Sequence, residues 1–347
     1  MNSSLESTAS PKTALVLGAT GGIGGEVARQ LVAAGWRVRA LNRGLQPEGR
    51  DGCEWRIGDA MHRDDVLRAA AGCELIVHAV NPPGYRRWGE LVLPMVDNTI
   101  AAARATGATV VLPGTVYNFG PDALPRVDEE SPQHPVTRKG AIRVELERRL
   151  RAAAADGVRT IVVRAGDFFG PGAANNWFSQ GLVKPGRPVR SVTRVGRAGV
   201  GHQWAYLPDV AATMLKLIER RQMLPPFAVF HMRGHWDADG AQMIEAIRRV
   251  VVEHGGAAPA VFPMPWPLLA LAAPFVPLFR ELREMRYLWR EPLCMDNAKL
   301  RAAVGDEPHT PLHEAVRRTL SGLGCLPQAP SDRPAAGTRP ARPTGLA

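Results

Sequence analysis

Short apolar segments alternate with longer amphipathic segments along the first half of the chain. The run Thr13–Leu17 is β-branched and aliphatic and ends at glycines, and residues 26–34 then carry helix-forming residues closed by Gly35. This order predicts a strand, a tight turn and a helix. The alternation continues, with further strands predicted at 37–41, 54–57, 75–80, 109–112 and 159–163 and helices at 64–71, 91–105 and 143–155.

Strands that alternate with helices of this length favour a parallel sheet covered by helices on both faces. We therefore predict the α/β class, a doubly wound parallel (Rossmann) sheet with a smaller, interleaved C-terminal substrate-binding region. The alternation breaks after Gly170, where residues 170–201 are rich in Gly, Pro and Arg and show no periodic element, as expected of a substrate loop. Later elements are predicted as helices at 207–219, 240–253 and 311–323 and a strand at 227–232.

The predicted elements divide the chain into four parts. The last part consists largely of Pro, Ala, Arg, Gly and Thr, a composition that buries too little apolar surface to become ordered. We expect a flexible tail at 1–11, a dinucleotide-binding domain at 12–172, a substrate-binding region at 173–326 with Rossmann elements returning near 204–232, and a disordered tail at 327–347.

One uncharged segment, residues 260–279, has the length of a membrane-spanning helix. Prolines interrupt it repeatedly, and each removes a backbone hydrogen-bond donor that a helix in lipid needs. We therefore expect no membrane span. A buried or ligand-covering segment is the favoured interpretation, and contact with one face of a membrane is the alternative.

Charge and cysteine usage narrow the class of protein further. The 347 residues include 43 basic and 33 acidic side chains, a net charge of +10, and the basic ones are scattered among acidic ones. This scatter argues against nucleic-acid binding, which usually gathers basic residues on one stripe. The four cysteines form no CxxC pair, so we expect neither a metal site nor a disulfide scaffold, and the N-terminal residues show no secretory pattern. We predict a cytoplasmic protein.

A glycine-rich loop follows the first predicted strand and opens the first predicted helix. Gly18, Gly21 and Gly24 are three residues apart in the run GATGGIG. Glycines at this spacing allow a tight turn and a close approach of backbone N–H groups to a pyrophosphate, while the helix N-terminus supplies positive potential. The loop therefore predicts dinucleotide binding, and a tight turn without a ligand is the alternative.

The loop GATGGIG resembles that of the extended short-chain dehydrogenase/reductases, the NAD(P)-dependent epimerase/dehydratase family. The resemblance runs over most of the chain and implies a Rossmann fold and a nicotinamide dinucleotide cofactor. Further matches are Gly58-Asp59-Ala60, similar to the family's adenine-contacting turn; residues 77–80, similar to the strand beneath the nicotinamide ribose; the helix residue Asn98; Arg164 with the run FGPG at 169–172; and residues 204–211 with Asp209. The cofactor-binding residues that we expect are Gly18, Thr20, Gly21, Gly22, Ile23, Gly24, Asn42, Arg43, Asp59, Ala60, Ala79 and Lys139.

The end of the second predicted strand bears on the choice of cofactor. A protein of this kind that prefers NAD typically carries a carboxylate there for the ribose 2′-hydroxyl, whereas this chain has Asn42 and Arg43. A guanidinium suits a 2′-phosphate by its charge and its planar fork. We therefore predict NADP, with NAD as the alternative; a solvated surface arginine is the other interpretation of Arg43.

The catalytic pattern departs from that of the family. The family resemblance implies a Tyr-x-x-x-Lys pair on one helix face, but none of the four tyrosines at 85, 117, 206 and 287 is followed by lysine four residues later. With Glu147 as an anchor, Lys139 falls in the tyrosine position and Arg143 in the lysine position. Arg143 can hold ribose hydroxyls but cannot give up a proton, whereas Lys139 can act as a general acid or base. Two surface cations on a helix are the alternative interpretation.

A second match supplies hydroxyl groups. The run LPGTVY at 112–117 resembles the family's SSxxVYG motif, but the usual hydroxyl position holds proline and Thr115 is the nearest substitute. The candidate catalytic residues are therefore Thr115, Tyr117, Lys139 and Arg143.

Three functions stay open at this point. The first is an NAD(P)-dependent oxidoreductase or epimerase/dehydratase that acts, with altered acid/base residues, on a small carbonyl or alcohol or on a sugar-nucleotide-like substrate. The others are a non-catalytic NADP-binding sensor or regulatory protein and a sterol- or lipid-type dehydrogenase that uses residues 260–279. We expect a small-molecule substrate as partner and a homodimer as one possible assembly, with no nucleic acid and no membrane span.

Overall fold

A seven-stranded parallel sheet forms the centre of the protein, whose computed structural model describes residues 12–44, 46, 49–82, 87–173 and 176–326. The tails predicted at 1–11 and 327–347 and the tyrosine at 85 lie outside the described residues. The strands are β1 (Thr13–Leu17), β2 (Arg37–Asn42), β3 (Glu54–Ile57), β4 (Leu75–His78), β5 (Thr109–Thr115), β6 (Arg126–Val127), β7 (Thr160–Ala165), β8 (Asp167–Phe169), β9 (Ser191–Arg194), β10 (His202–Tyr206), β11 (Phe227–His231), β12 (His235–Asp237), β13 (Ala260–Pro263) and β14 (Cys294–Met295). The helices are α1 (Gly22–Ala33), α2 (Arg63–Ala70), α3 (Trp88–Thr106), α4 (Arg138–Ala153), α5 (Leu207–Glu219), α6 (Gln242–Glu253), α7 (Trp266–Ala272), α8 (Pro277–Glu284), α9 (Ala298–Val304) and α10 (Leu312–Gly322).

The strand order of the large sheet is β11-β7-β5-β4-β1-β2-β3, and every neighbouring pair is parallel. The chain runs outward from β1 to β3, returns to β4 on the other side of β1, and then runs outward again. The reversal leaves a crevice at the carboxyl ends of β1 and β4, which is where open α/β sheets bind their ligands. The predicted doubly wound parallel sheet is confirmed.

Helices cover both faces of this sheet. On one face α1 packs against α5, and their apolar side chains join the strands in one core cluster. On the other face α2, α3 and α4 pack side by side in a second cluster. A third cluster, built from α6, α10 and the aromatic residues around β9 and β10, forms the C-terminal region.

The segment 170–201 contains more regular structure than the sequence predicted. A π-helical turn spans Phe178–Leu182, and β9 pairs in parallel with β13, some seventy residues later in the chain. The expectation that this segment lacks regular elements is therefore wrong. The reason is that β9 depends on a distant partner strand, which a local hydrophobic pattern does not reveal.

Residues 260–279 form β13, α7 and the first residues of α8. No helix within the described part of the chain is long and apolar enough to cross a bilayer. The expectation of a buried segment holds for one face only: Trp266 and Ala273 are buried, whereas Leu268, Leu271 and Phe275 are exposed. The cause is that α7 is apolar all round but packs on the core with one side.

Candidate active site

The glycine loop between β1 and α1 folds as a close-packed cradle. Gly18 has a φ of +91°, and a Cβ atom there would lie 2.6 Å from the carbonyl oxygen of Ala79 at the end of β4. A Cβ atom on Gly24 would overlap the carbonyl oxygen of Gly18. Gly21 caps α1 without a side chain, so the first N–H groups of this 12-residue helix are left for other acceptors. Of the other predicted residues here, Thr20 is exposed, Ile23 packs on the core, and Gly22 faces Ala173 and Leu207.

The residues predicted to contact the adenosine lie at the carboxyl ends of β2 and β3. Asn42 donates through Nδ2 to the carbonyl oxygen of Gly44 at 2.8 Å, and Arg43 is exposed to solvent. Asp59 accepts through Oδ1 from the N–H of Met61 at 3.0 Å. The other carboxylate oxygen, Oδ2, is the one that could accept a hydrogen bond from a ligand. These positions lie at the same edge of the sheet as the crevice between β1 and β4, and together they define a candidate dinucleotide path.

Two polar residues singled out from the sequence hold loops of this edge in place. Asn98 donates through Nδ2 to the carbonyl oxygen of Ala60 at 2.9 Å, which fixes the turn after β3. Asp209 accepts from the N–H and the hydroxyl of Thr310, both at 2.7 Å. Both side chains therefore stabilise the conformation of the loops that they contact.

Arg143 lies on α4 and reaches the crevice of the sheet. It is 5% exposed, donates through Nη2 to Oδ1 of Asn81 at 3.0 Å, and its guanidinium lies 5.1 Å from the ring centroid of Trp88. Asn81 lies three residues after the end of β4, so Arg143 faces the point where the strand order reverses. The alternative of two surface cations is wrong, because both Arg143 and Lys139 are buried where α4 packs on α3 and on the turn after β5.

Beside Arg143, the end of β4 carries a neutral imidazole. His78 is buried, and its Nδ1 lies 2.8 Å from Oγ1 of Thr99. Burial, together with the charge of Arg143, lowers the pKa of His78 to about 3. The positive charge at this point of the crevice therefore comes from Arg143 and not from His78.

Lys139 lies in the first turn of α4 and is 2% exposed. Its Nζ lies 3.4 Å from Oε2 of Glu284 on α8, and its backbone N–H donates to Oε1 of the same carboxylate at 3.1 Å. The N-terminus of α4 is capped by Thr137, whose hydroxyl accepts from the N–H of Gly140 at 3.0 Å. Sequence reasoning missed Glu284, because nothing in the local pattern connects residues so far apart in the chain.

A pocket of about 460 Å³ opens beside Lys139. Its wall consists mainly of apolar side chains from α7, α8 and the residues next to these helices and next to the π-helical turn. Asn176 and Gln180 are the other polar side chains on it, and Lys139 is the cation among the described lining residues. The apolar lining includes Trp177, Met264, Leu269, Phe279, Leu282 and Met285.

Thr115 ends β5, and Tyr117 lies in the turn that follows it, against which α4 packs. The hydroxyl of Thr115 accepts from the N–H of Tyr117 at 3.2 Å, and the Tyr117 hydroxyl donates to Oδ1 of Asp167 at 3.5 Å. The other oxygen of Asp167 is 2.9 Å from Nε2 of His202, whose ring stacks on Trp289 at 3.7 Å between centroids. A small cavity of about 60 Å³ touches Thr115, Tyr117 and Asp167. Asp167 and His202 were not predicted.

Glu147 and Arg164 belong to a buried polar network at the carboxyl end of β7. Arg164 donates to both oxygens of Glu147, with a shortest distance of 2.6 Å, and Asn118 donates to Glu147 at 2.9 Å. Arg164 also lies 3.2 Å from Nε2 of His231, and burial together with this guanidinium lowers the pKa of His231 to about 3. The network joins α4, β7 and β11 through the hydrogen bonds that Arg164 makes with Glu147 and His231.

Among the described residues there is no group of three or more His, Cys, Asp or Glu side chains that could hold a metal ion. Cys53, Cys73, Cys294 and Cys325 are free thiols.

Comparison with known proteins identifies relatives of the sequence. Residues 14–231 match the model of the NAD dependent epimerase/dehydratase family. The chain is 30% identical over 184 residues to the uncharacterized protein y4nL of Sinorhizobium fredii, a match that covers 45% of this chain and 51% of that protein. The chain thus spans about half the length of this curated relative.

Comparison of the fold identifies solved structures with a similar architecture. A candidate epimerase from Burkholderia cenocepacia superposes with a TM-score of 0.72 at 20% identity, covering 91% of this chain and 99% of that one. UDP-glucose 4-epimerase from Bifidobacterium longum, solved with NAD+ and UDP, superposes with a TM-score of 0.69 at 15% identity, covering 90% and 98%. At these identities the structures establish the shared fold. The family match covers more than half of the sequence, so the chain belongs to the NAD dependent epimerase/dehydratase family, as its glycine loop predicted.

Proposed function

We propose that the protein is an NAD(P)-dependent oxidoreductase in which Lys139 exchanges the proton with a carbonyl or hydroxyl group of the substrate. The observation that carries this proposal is the position of Lys139, buried at the wall of the 460 Å³ pocket and one helical turn from Arg143. Arg143 in turn reaches Asn81 at the crevice of the sheet. The pair thereby links the apolar pocket to the expected nicotinamide end of the dinucleotide path.

The residues at this edge of the sheet fit a nicotinamide dinucleotide. The cradle has no room for a Cβ atom at Gly18 or Gly24, and the first N–H groups of α1 suit a pyrophosphate. Asn42, Arg43, Asp59 and Ala60 would hold the adenosine, and Ala79 and Arg143 the nicotinamide ribose. When bound, the nicotinamide supplies or accepts a hydride.

Lys139 would complete the reaction in either direction. During reduction its ammonium donates a proton to the carbonyl oxygen, so that an N–H bond breaks and an O–H bond forms, leaving a neutral amine. The Glu284 carboxylate, 3.4 Å from Nζ, holds the ammonium at the pocket wall before the transfer. Thr115 at the end of β5 and Tyr117 in the turn after it provide hydroxyl groups that would orient the same oxygen.

The test of this role is the turnover of NADPH, followed by absorbance against a panel of carbonyl compounds. We expect Lys139→Met to lower kcat by roughly 10²–10⁴-fold while dinucleotide binding survives. Lys184→Met, which removes an exposed lysine, is the matched control and should leave kcat unchanged. Full turnover by Lys139→Met with any substrate would refute the assignment. Glu284→Gln should change kcat and its pH profile without weakening dinucleotide binding.

We further propose that the cofactor is NADP rather than NAD. Arg43 lies exposed at the end of β2, free of a neighbouring carboxylate in the strand, and can form a charge-assisted bond with a 2′-phosphate. Such a bond contributes about 1.5–3 kcal/mol, so Arg43→Ala should weaken NADP binding by roughly 10–100-fold and leave NAD binding unchanged. Titration of both cofactors into both proteins measures this, and equal NADP affinity in the two would exclude the role.

Specific observations favour two other functions. The apolar lining of the pocket favours a sterol- or lipid-type dehydrogenase over an enzyme of sugar nucleotides, because a diphosphate needs several cations and the described lining offers Lys139 alone. The missing tyrosine and the Lys139–Glu284 contact favour a non-catalytic NADP sensor. Tight dinucleotide binding without turnover on the whole panel would select the sensor. We propose a cytoplasmic location for either, in keeping with the free cysteines.

A further inference from the structure

Helix α7 is apolar on two sides, and the core covers only one of them. Trp266 is buried, and its indole N–H donates to the carbonyl oxygen of Val195 at 2.9 Å. On the other side Leu268, Leu271 and Phe275 are 67%, 76% and 85% exposed. Their spacing of three and four residues puts them on one face of the helix and its exit turn. A helix that is apolar on all sides is normally buried on all sides, so we expect another molecule or segment to cover this second face.

A basic cleft of about 390 Å³ adjoins the start of the same helix. Four arginines line it, namely Arg194, Arg197, Arg286 and Arg290, and no carboxylate is among the described residues on its wall. None of the four makes an ion pair with a residue that the structure describes. The guanidinium of Arg286 lies 5.0 Å from the ring centroid of Trp266, which ties the cleft directly to α7.

The positive charges of the cleft are crowded as well as uncompensated. Burial, followed by repulsion from Arg290 and Arg283, lowers the pKa of Arg286. An anionic partner would relieve this repulsion, and guanidinium groups bind phosphate oxygens with paired hydrogen bonds.

We propose that the exposed face of α7 docks on an anionic lipid bilayer, with Leu268, Leu271 and Phe275 entering the interfacial region and the arginine cleft binding phosphate headgroups. Exposed apolar side chains beside basic ones are the arrangement by which interfacial helices hold to anionic lipids. The proposal concerns contact with one leaflet and does not depend on the hydride-transfer chemistry.

Charge complementarity favours the bilayer over the other occupants. A second copy that paired symmetrically through this face would bring the same four arginines against each other, and like charges repel. Residues 327–347 carry three arginines and one aspartate, so they match the cleft in sign rather than complement it. A surface of lipid phosphates supplies both the negative charge and the apolar layer.

The docking face and the pocket of Lys139 share their elements. Leu269 of α7 and Phe279 and Leu282 of α8 line that pocket, while Leu268 and Leu271 point away from the core. A protein docked in this way would hold its apolar pocket next to the acyl boundary of the leaflet. Lipophilic substrates would then reach Lys139 without crossing water.

The experiment is co-sedimentation of the full chain with vesicles of phosphatidylglycerol and, separately, of phosphatidylcholine. We expect binding to the anionic vesicles, with weaker binding at high salt because exposed charges are then screened. The double variant Leu268→Ser and Leu271→Ser should bind at least about tenfold more weakly. Arg197→Gln with Arg290→Gln should weaken binding to the anionic vesicles by a similar factor. These side chains are exposed or half-exposed, so folding should survive, as far-ultraviolet circular dichroism can verify.

Met223→Ser is the matched control, because Met223 is 77% exposed but lies in the turn after α5 and not on α7. This variant should bind vesicles like the wild type. Absence of binding to anionic vesicles would overturn the proposal. So would unchanged binding by the Leu268/Leu271 variant, or a concentration-dependent dimer that this variant abolishes in light scattering. Each result is independent of NADPH turnover, so failure of the proposed function would not affect it.

Discussion

Helix α4 takes part in two ionic contacts, and they differ in geometry and in surroundings. Glu147 accepts three hydrogen bonds from Arg164, the shortest at 2.6 Å, and one from Asn118 at 2.9 Å. Two turns earlier, Nζ of Lys139 and Oε2 of Glu284 are 3.4 Å apart at the wall of a 460 Å³ pocket. The first contact is short and enclosed by packed elements, whereas the second is longer and borders open space.

This difference separates a structural pair from a candidate catalytic one. A buried pair whose lone pairs and protons are all matched has no group left for a ligand, and its role is to hold elements together. A cation that borders a cavity can approach a bound molecule, and its counter-ion can hold it in place. We therefore assign Arg164 and Glu147 to the fold and propose that Lys139 and Arg143 belong to the site.

The largest effect that tests this contrast is on stability. We expect Glu147→Gln to lower the free energy of unfolding by about 3–5 kcal/mol, because Arg164 is then left buried with its charge uncompensated. Glu284→Gln should lower it by only about 1–2 kcal/mol, since the pocket gives Lys139 access to water. Urea unfolding of both variants measures the two values. Equal losses would show that both pairs are structural.

A second prediction concerns acid stability. The folded-state pKa of His231 is lowered to about 3, against an ordinary value of 6.5 in the unfolded chain. Its contribution to stability is therefore complete above pH 6.5 and is lost as pH falls from 6.5 towards 3, by about 1.4 kcal/mol per pH unit. His231→Gln keeps an acceptor for Arg164 but has no proton to gain, so its unfolding free energy should fall less steeply.

Urea unfolding of the wild type and of His231→Gln between pH 6.5 and 5 measures how steeply the unfolding free energy falls with pH in each protein. His78, whose pKa is also lowered to about 3, lies beside Arg143 and stays in the variant, so part of the wild-type slope should remain. A slope identical in wild type and His231→Gln would mean that His231 is protonated in the folded protein. A protonated His231 could not accept the hydrogen bond from Arg164, so the contact between the two would not be the one that the geometry indicates.

Much of the fold was predictable because local patterns encode it. The aliphatic runs that became β1, β5 and β7 are short, bounded and separated by amphipathic helices, so their parallel arrangement follows from the order alone. The pairing of β9 with β13 was not predictable, since an edge strand in a Pro- and Gly-rich segment shows no period of its own. Its stability comes from a partner that is close in space only.

The candidate site divides in the same way. The cradle of Gly18 and Gly24 was predictable, because only glycine fits there. Gly18 has a positive φ, and both residues approach neighbouring backbone atoms too closely for a Cβ atom. The burial of Lys139 and its contact with Glu284 were not, because they depend on how α8 packs over the start of α4. Asp167 and His202 also come together only through strand pairing in a small separate sheet.

The smallest expected effect is that of Tyr117→Phe. The Tyr117 hydroxyl is directed at Asp167 over a long 3.5 Å contact, so its loss should cost about 0.5–1.5 kcal/mol of stability. If Lys139 supplies the proton, kcat should change by less than about threefold, because the hydroxyl then only orients the substrate oxygen. Steady-state turnover of NADPH in this variant and in Lys139→Met compares the two donors directly. A loss of about 100-fold or more in Tyr117→Phe, with stability and dinucleotide binding kept, would move the proton source to Tyr117. Asp167 and His202 would then be the groups behind it, and the contact between Lys139 and Glu284 would join that of Arg164 and Glu147 as a structural pair.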